Sequence, residues 1–144
     1  MPGYSGTPLA KKLGIKDGFR VALMHVPDDV IKEIEAALAE CRIVKPASSD
    51  LDFVFLFAQS RATLERDLVK AAAKLARAGM LWIAWPKKSS GVTTDLDENL
   101  IRDTGIGAGL VDIKVCAVTD IWSGLKFVIP VKDRPGRKKI LRKL

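Results

Sequence analysis

Short apolar runs alternate with helical patterns along most of the chain. Residues 19–24, 53–57 and 81–85 are largely apolar, which is typical of strands buried on both faces of a parallel sheet. Apolar residues recur at helical spacing on residues 30–41 after the first run, and on residues 64–75 after the second. The pattern therefore predicts parallel strands connected by helices that pack against the sheet.

The last third of the chain predicts a hairpin. Residues 111–119 alternate between apolar and polar at first and then become apolar, which predicts a long strand that enters the core. A turn at residues 120–124 reverses the chain, and residues 126–131 return as an antiparallel partner. We therefore predict an α/β fold, a three-layer Rossmann-like sandwich with a mainly parallel five-stranded sheet. The predicted strand order is 1-2-3-5-4, with the antiparallel hairpin at the end of the chain.

Polar residues mark the starts of the second and third predicted helices. Ser60 is placed to cap the second helix, which should run to residue 78 and end at Gly79. Thr94 is placed to cap a third helix over residues 95–103, with Asp97 three residues later as in a weak capping box. The loop before Thr94 should therefore lie beside a helix N-terminus.

The basic residues divide the chain into three parts. The 144 residues include 24 Lys and Arg against 17 Asp and Glu, a net charge of +7. Residues 134–144 hold six of the basic residues and none of the acidic ones, so the rest of the chain is almost neutral. We predict an N-terminal arm (residues 1–18), one α/β domain (residues 19–133) and a basic tail (residues 134–144). Such a tail either binds nucleic acid in a salt-dependent way or is a solvated terminus that aids solubility.

Several classes of protein and site do not fit the sequence. No apolar run approaches the ~20 residues needed to span a bilayer, and the start lacks a signal-peptide pattern. Cys41 and Cys116 form no Cys-x-x-Cys pair and are predicted to be buried and reduced, which favours a cytoplasmic location. His25 is the only histidine, so no metal site is predicted. With no carboxylate partner visible in the sequence, His25 is predicted to be structural and not a general base.

One loop carries the candidate chemistry. Residues 87–94 (KKSSGVTT) offer two ammonium groups, four hydroxyls and a glycine before a predicted helix N-terminus, where anions are favoured. The loop lacks the spacing of a phosphate-binding P-loop, so nucleotide hydrolysis is not implied. The predicted ligand-binding residues are Lys87, Lys88, Ser89, Ser90, Gly91, Thr93, Thr94, Arg61 and Trp122. In the alternative interpretation, Thr94 is only a helix cap and the lysines are solvated.

This site depends on one geometric condition. Ligands of open α/β sheets bind beyond the carboxyl ends of the strands. The chain after Trp85 must therefore emerge at the same edge of the sheet as the turn around Trp122.

Parts of the sequence resemble two known families. Residues 52–86 (DFVFLFAQSRATLERDLVKAAAKLARAGMLWIAWP) resemble the fourth strand, the following helix and the fifth strand of class I S-adenosylmethionine-dependent methyltransferases. That fold also ends in a hairpin whose last strand inserts into the sheet. Residues 3–16 (GYSGTPLAKKLGIK) and 122–128 (WSGLKFV) resemble an uncharacterised bacterial family known only by a domain-of-unknown-function label, which implies no activity.

The sequence departs from the methyltransferase pattern where the cofactor would bind. The methyltransferases have a glycine-rich turn after the first strand and an acidic residue after the second, which binds the ribose hydroxyls. Here residues 25–29 (HVPDD) follow the first strand without a glycine, and one helix leads to the strand that resembles the family's fourth. Two strands and the acidic residue are therefore missing. No cofactor is predicted, and S-adenosylmethionine is disfavoured.

These observations predict a non-catalytic, cytoplasmic α/β domain that binds a small anionic ligand or a protein partner at the carboxyl edge of the sheet. One alternative is a degenerate S-adenosylmethionine-dependent methyltransferase. Another is a nucleic-acid accessory protein that acts through residues 134–144.

Overall fold

A computed structural model gives the structure of the protein, and residues 7–134 are described here. The strands are β1 (Arg20–Met24), β2 (Arg42–Ile43), β3 (Leu51–Phe57), β4 (Leu75–Pro86), β5 (Val111–Ala117) and β6 (Trp122–Val128). The helices are α1 (Leu9–Leu13), α2 (Asp28–Leu38), α3 (Arg61–Lys74) and α4 (Glu98–Gly107). Short 3-10 turns cover Lys88–Ser90 and Val131–Asp133.

The strands form one sheet in the order β2-β1-β3-β4-β6-β5. β1 to β4 are mutually parallel, and β6 is inserted between β4 and β5 in the antiparallel direction. The five predicted strands thus have the predicted order, and the α/β sandwich with its terminal hairpin is confirmed. The sixth strand, β2, was not predicted, because two exposed residues carry no apolar pattern.

The helices cover both faces of the sheet. On one face, α3 and α4 bury a cluster that includes Leu64, Leu68 and Ile101 against the sheet. On the other face, α1 and α2 bury a second cluster with Leu13 and Ile34. The phenylalanines of β3 and Trp82 of β4 belong to this second cluster. The molecule therefore has the three predicted layers.

Two predicted elements differ from the structure. α3 ends at Lys74 and not at residue 78, because Leu75 already pairs with Leu51 at the start of β4. A register shift follows before Phe53 pairs with Met80. β5 does not enter the core: it is an edge strand, and most of its side chains are exposed. Its position beyond β6 leaves one side of the strand unpaired among the described residues.

Parts of the arm and tail lie outside the described residues. α1 belongs to the predicted arm, and Leu9 and Leu13 are buried against the sheet. Residues 1–6 of the arm and residues 135–144 of the basic tail lie outside the description, so the predicted role of the tail in nucleic-acid binding stays a prediction. Within residues 7–134, no helix is both long and apolar enough to cross a bilayer.

Candidate functional site

The chain after β4 and the turn before β6 meet at one edge of the sheet. Pro86 pairs with Trp122, and the N–H of Lys87 donates to the carbonyl of Ile121 over 2.7 Å. Since β4 is parallel to β3, this is the edge at which the carboxyl ends of both strands lie. The geometric condition set by the sequence is therefore confirmed.

A cavity of about 690 Å³ opens at this edge and is called the Lys87 cavity below. It lies between the loop after β4 and the start of α4. Its lining residues are Trp85, Lys87, Lys88, Ser89, Leu96, Asp97, Glu98, Asn99 and Ser123. Trp85 and Leu96 are almost fully buried, so the cavity combines an apolar floor with polar walls.

The charges in the Lys87 cavity are not equivalent. Asp97 Oδ1 accepts a hydrogen bond of 2.8 Å from the N–H of Leu100, and Glu98 Oε2 accepts one of 2.6 Å from Arg102. Both carboxylates are therefore engaged by α4 itself. In the described part of the chain, the ammonium groups of Lys87 and Lys88 have no ion-pair partner. The lining therefore holds two positive and two negative side chains, and neither Lys87 nor Lys88 forms an ion pair with Asp97 or Glu98.

Three of the nine predicted ligand-binding residues line this cavity: Lys87, Lys88 and Ser89. The hydroxyl of Ser90 instead donates to the carbonyl of Lys87 over 2.6 Å and accepts from the N–H of Val92. Gly91 follows with a φ of 78° and ends the 3-10 turn. The first half of the loop thus faces the cavity, while Ser90 and Gly91 shape the turn.

Thr93 and Thr94 attach the loop to the turn after β3. The carbonyl of Thr93 accepts from the Gln59 amide over 3.3 Å, and the Thr94 hydroxyl donates to the Gln59 carbonyl over 2.6 Å. The expectation that Thr94 caps the third helix is wrong, because α4 begins at Glu98 and its cap is Asp97. A carboxylate already occupies that helix N-terminus, where the helix dipole favours negative charge.

Arg61 and Trp122 lie outside the lining of the Lys87 cavity. The Nε of Arg61 donates to Glu65 over 2.8 Å, and its backbone N–H donates to Asp95. The ring of Trp122 packs edge-on against Phe57, with 4.8 Å between the ring centroids. The two residues stay predicted ligand contacts, but the structure gives each another partner.

A histidine–aspartate pair lies at the same edge and was missed in the sequence. His25 Nε2 lies 2.9 Å from Asp67 Oδ2, and Arg66 Nε donates to Asp67 Oδ1 over 3.0 Å. The structure therefore gives His25 a carboxylate partner that was not visible in the sequence. A signal was present, because Asp67 falls at helical spacing on the apolar face of α3 that also carries Leu64 and Leu68. An acid on such a face requires a partner.

The surroundings of Asp67 determine its charge. Its side chain is buried in α3, and this burial alone would raise the pKa of the carboxyl group. The hydrogen bonds from Arg66 and His25 outweigh burial, so the pKa of Asp67 is lowered overall. Asp67 is therefore an anion at neutral pH.

We expect the His25–Asp67 pair to make the stability of the fold depend on pH in the acidic range. A lowered folded-state pKa means that the ionised form stabilises the fold above about pH 4, and that this contribution is lost as the pH falls through the folded-state value. As the pH is lowered, the melting temperature of the wild type should therefore fall more steeply than that of Asp67→Asn. Asp103→Asn, which removes an exposed carboxylate of α4, is the control. If the melting temperatures of the wild type and Asp67→Asn depend on pH in the same way, then the ion pair does not stabilise the fold.

No metal centre is apparent in residues 7–134. No three His, Cys, Asp or Glu side chains in this part of the chain come close enough together to hold a metal ion.

Comparison with solved structures identifies the fold. The chain superposes on a fibrillarin pre-rRNA processing protein of Methanococcus jannaschii with a TM-score of 0.54 and 12% identity, covering 90% of this chain and 76% of that one. A TehB-like SAM-dependent methyltransferase of Corynebacterium glutamicum gives a TM-score of 0.53 and 10% identity, with 85% of each chain covered. The magnesium protoporphyrin IX methyltransferase of Synechocystis with bound SAH gives a TM-score of 0.57 and 11% identity. The match covers 85% of this chain and 78% of that one.

At such low identity, these similarities show a methyltransferase-like fold and nothing about activity. No curated protein matches the chain in sequence. The sequence profile of one family matches residues 10–131, which is most of the chain. The chain therefore belongs to the family described as Protein of unknown function (DUF3052).

Proposed function

We propose that the protein is a non-catalytic domain that binds a small anionic ligand in the Lys87 cavity. The observation that carries this proposal is the pair of unpartnered ammonium groups, Lys87 and Lys88, beside two carboxylates that are already bonded within α4. An incoming anion can bind the ammonium groups of Lys87 and Lys88 without displacing an existing ion pair.

The other lining groups fit a small polar molecule. A volume of about 690 Å³ lies in the range of small-molecule sites. Ser89, Ser123 and Asn99 supply hydroxyl and amide donors, and the buried ring of Trp85 forms part of the floor. A ligand with one or two phosphate groups would satisfy both lysines and these donors.

The turn after β1 supports a non-catalytic role within a methyltransferase-like fold. The glycines that allow close approach of the cofactor in class I methyltransferases are replaced here by His25, Val26 and Pro27. His25 has a φ of 60° and carries a side chain at this turn, where the methyltransferases have glycine. S-adenosylmethionine therefore does not fit the residues at this turn, and saturable binding of it in calorimetry would contradict the proposal.

Titration with inorganic pyrophosphate tests the Lys87 cavity. We expect a saturable change in tryptophan fluorescence, because Trp85 lines the cavity, and an affinity about tenfold lower for Lys87→Ala/Lys88→Ala. Lys11→Ala/Lys32→Ala removes the same charge from exposed positions of α1 and α2 and should bind like the wild type. If the two double variants lose the same affinity for pyrophosphate, then the protein responds only to net charge and has no specific site in the Lys87 cavity.

A further inference from the structure

On one face of the sheet, no helix lies directly over β1 and β2 in the described part of the chain. The helices of this face are α3, which contacts β3 and β4, and α4, which contacts β5 and β6. The other two helices, α1 and α2, pack on the opposite face. The strands β1 and β2 are therefore covered here only by the side of α3 and by the segment that follows β2.

A crevice opens at this place and is called the α3 crevice. Its volume is about 630 Å³, which lies in the range of sites for small molecules. Met24, Pro46 and Ala47 line it on the side of β1 and β2, and residues of α3 between Arg66 and Lys74 line it on the other side. The crevice is thus bounded by apolar residues on the side that faces α3.

α3 contributes an apolar ridge and a basic ridge to the crevice. Val69 and Ala73 lie one helical turn apart, and Val69 is 59% exposed although it is apolar. Arg66, Lys70 and Lys74 follow one another at the same spacing on the adjacent side of the helix. An exposed apolar surface therefore runs beside a row of positive charges.

The charges along the α3 crevice favour an anion. The one acid in its lining is Asp67, which is bonded to Arg66 over 3.0 Å and to His25 over 2.9 Å. Lys70 and Lys74 form no ion pair with any described residue. Like charges one turn apart on a helix repel each other, so an anion between these two lysines would relieve their repulsion.

The lysine side chains are suited to a ligand that is mostly apolar. Each ammonium group is carried on a flexible stem of four carbons, so it can follow an anion along the rim of the crevice. The stems themselves add apolar surface beside Val69. Lys70 and Lys74 therefore extend the apolar wall and supply charge at its edge.

We propose that the α3 crevice binds a carboxylate with an apolar body, such as a fatty acid of medium chain length. The hydrocarbon chain lies between Val69 and the wall formed by Met24 and Pro46, and the carboxylate binds Lys70 and Lys74. An inorganic anion would leave the apolar walls in contact with water, and a neutral apolar molecule would leave the repulsion between the lysines in place. A carboxylate with an apolar body uses both features.

Titration of the full-length protein with octanoate tests this site. His25 is the only histidine of the chain and lines the α3 crevice but not the Lys87 cavity, so the proton NMR signals of its ring distinguish the two sites. At constant pH we expect a saturable shift of these signals. Octanoate should bind roughly tenfold more tightly than hexanoate, because two more CH₂ groups are removed from water.

Matched variants separate the two contributions to binding. Lys70→Gln/Lys74→Gln should weaken octanoate binding about tenfold and leave octan-1-ol binding unchanged, because glutamine lacks the charge but is a similar helix former. Lys11→Gln/Lys32→Gln removes the same charge from exposed positions of α1 and α2 and should bind octanoate like the wild type. Val69→Asn should weaken both ligands about threefold. Since Val69 is exposed, this variant keeps the fold.

The proposal is overturned if octanoate leaves the His25 signals unchanged, if hexanoate binds as tightly as octanoate, or if the two double-lysine variants lose the same affinity. Pyrophosphate, which tests the Lys87 cavity, should not shift the His25 signals. Lys87→Ala/Lys88→Ala should bind octanoate like the wild type. Either proposal can therefore fail without the other.

Discussion

Replacing Gly105 with alanine is expected to lower the free energy of unfolding by about 2 kcal/mol, from a packing cost of ~3 kcal/mol and a helix-propensity gain of ~1 kcal/mol. Gly105 is a buried residue of α4, and a Cβ at this position would overlap the ring of Phe127 on β6. Phe127 is fully buried, so its ring cannot move aside without disturbing the core. The helix would have to move away from the sheet.

Gly107 provides a matched control in the same helix. A Cβ at Gly107 meets no atom within 4 Å, so alanine there should leave stability unchanged or raise it by up to about 1 kcal/mol. Urea unfolding followed by fluorescence measures both variants. If Gly105→Ala is as stable as Gly107→Ala, then α4 does not need its close approach to β6.

The packing at Gly105 also bears on the Lys87 cavity. α4 carries Glu98 and Asn99 in its first turn, and both line the cavity opposite Lys87 and Lys88. The distance between α4 and the sheet therefore contributes to the width of the cavity. A variant that moves α4 outward should weaken anion binding without changing any residue of the lining.

The sequence predicted the fold well where side-chain burial alone determines an element. β1 and β3 are apolar because they are buried inside the sheet, and β5 and β6 were predicted to be antiparallel because a short turn joins them. The end of α3 was mispredicted because residues 71–78 are rich in alanine and favour a helix locally. Pairing of Leu75 with Leu51 overrides that preference, and this contact cannot be read from local pattern.

The candidate site was predicted less completely because its arrangement depends on contacts between distant residues. The predicted topology correctly placed residues 87–89 at the same edge of the sheet as the turn before Trp122. Both Thr94 and Asp97 are good capping residues, and the choice is made by the bond from Thr94 to Gln59, 35 residues earlier in the chain. The pairing of His25 with Asp67 spans 42 residues in the same way. The bond from Thr94 leaves no trace in sequence spacing, and the position of Asp67 on the apolar face of α3 indicates that it needs a partner but not which residue that partner is.

The two segments that resemble the uncharacterised family meet at one buried side chain. Trp82 Nε1 donates to the carbonyl of Leu13, in the first segment, over 2.8 Å. In the second segment, a Cβ on Gly124 would lie 3.2 Å from the ring of Trp82 and 2.9 Å from Val118. Lys114 lies 6.0 Å from the centre of the same ring. We infer that these segments hold α1 and β6 around Trp82, while Ser123 of the second segment also lines the Lys87 cavity.

Trp82→Ala is therefore expected to lower the free energy of unfolding by about 4 kcal/mol, as for other fully buried aromatic side chains. Trp82→Phe separates the two contributions, because it keeps most of the apolar contact but loses the bond to Leu13, at a cost of about 1–2 kcal/mol. Urea unfolding gives both values. A loss in Trp82→Ala no larger than that in Trp82→Phe would mean that the hydrogen bond, and not the packing of the ring, fastens α1 to the sheet.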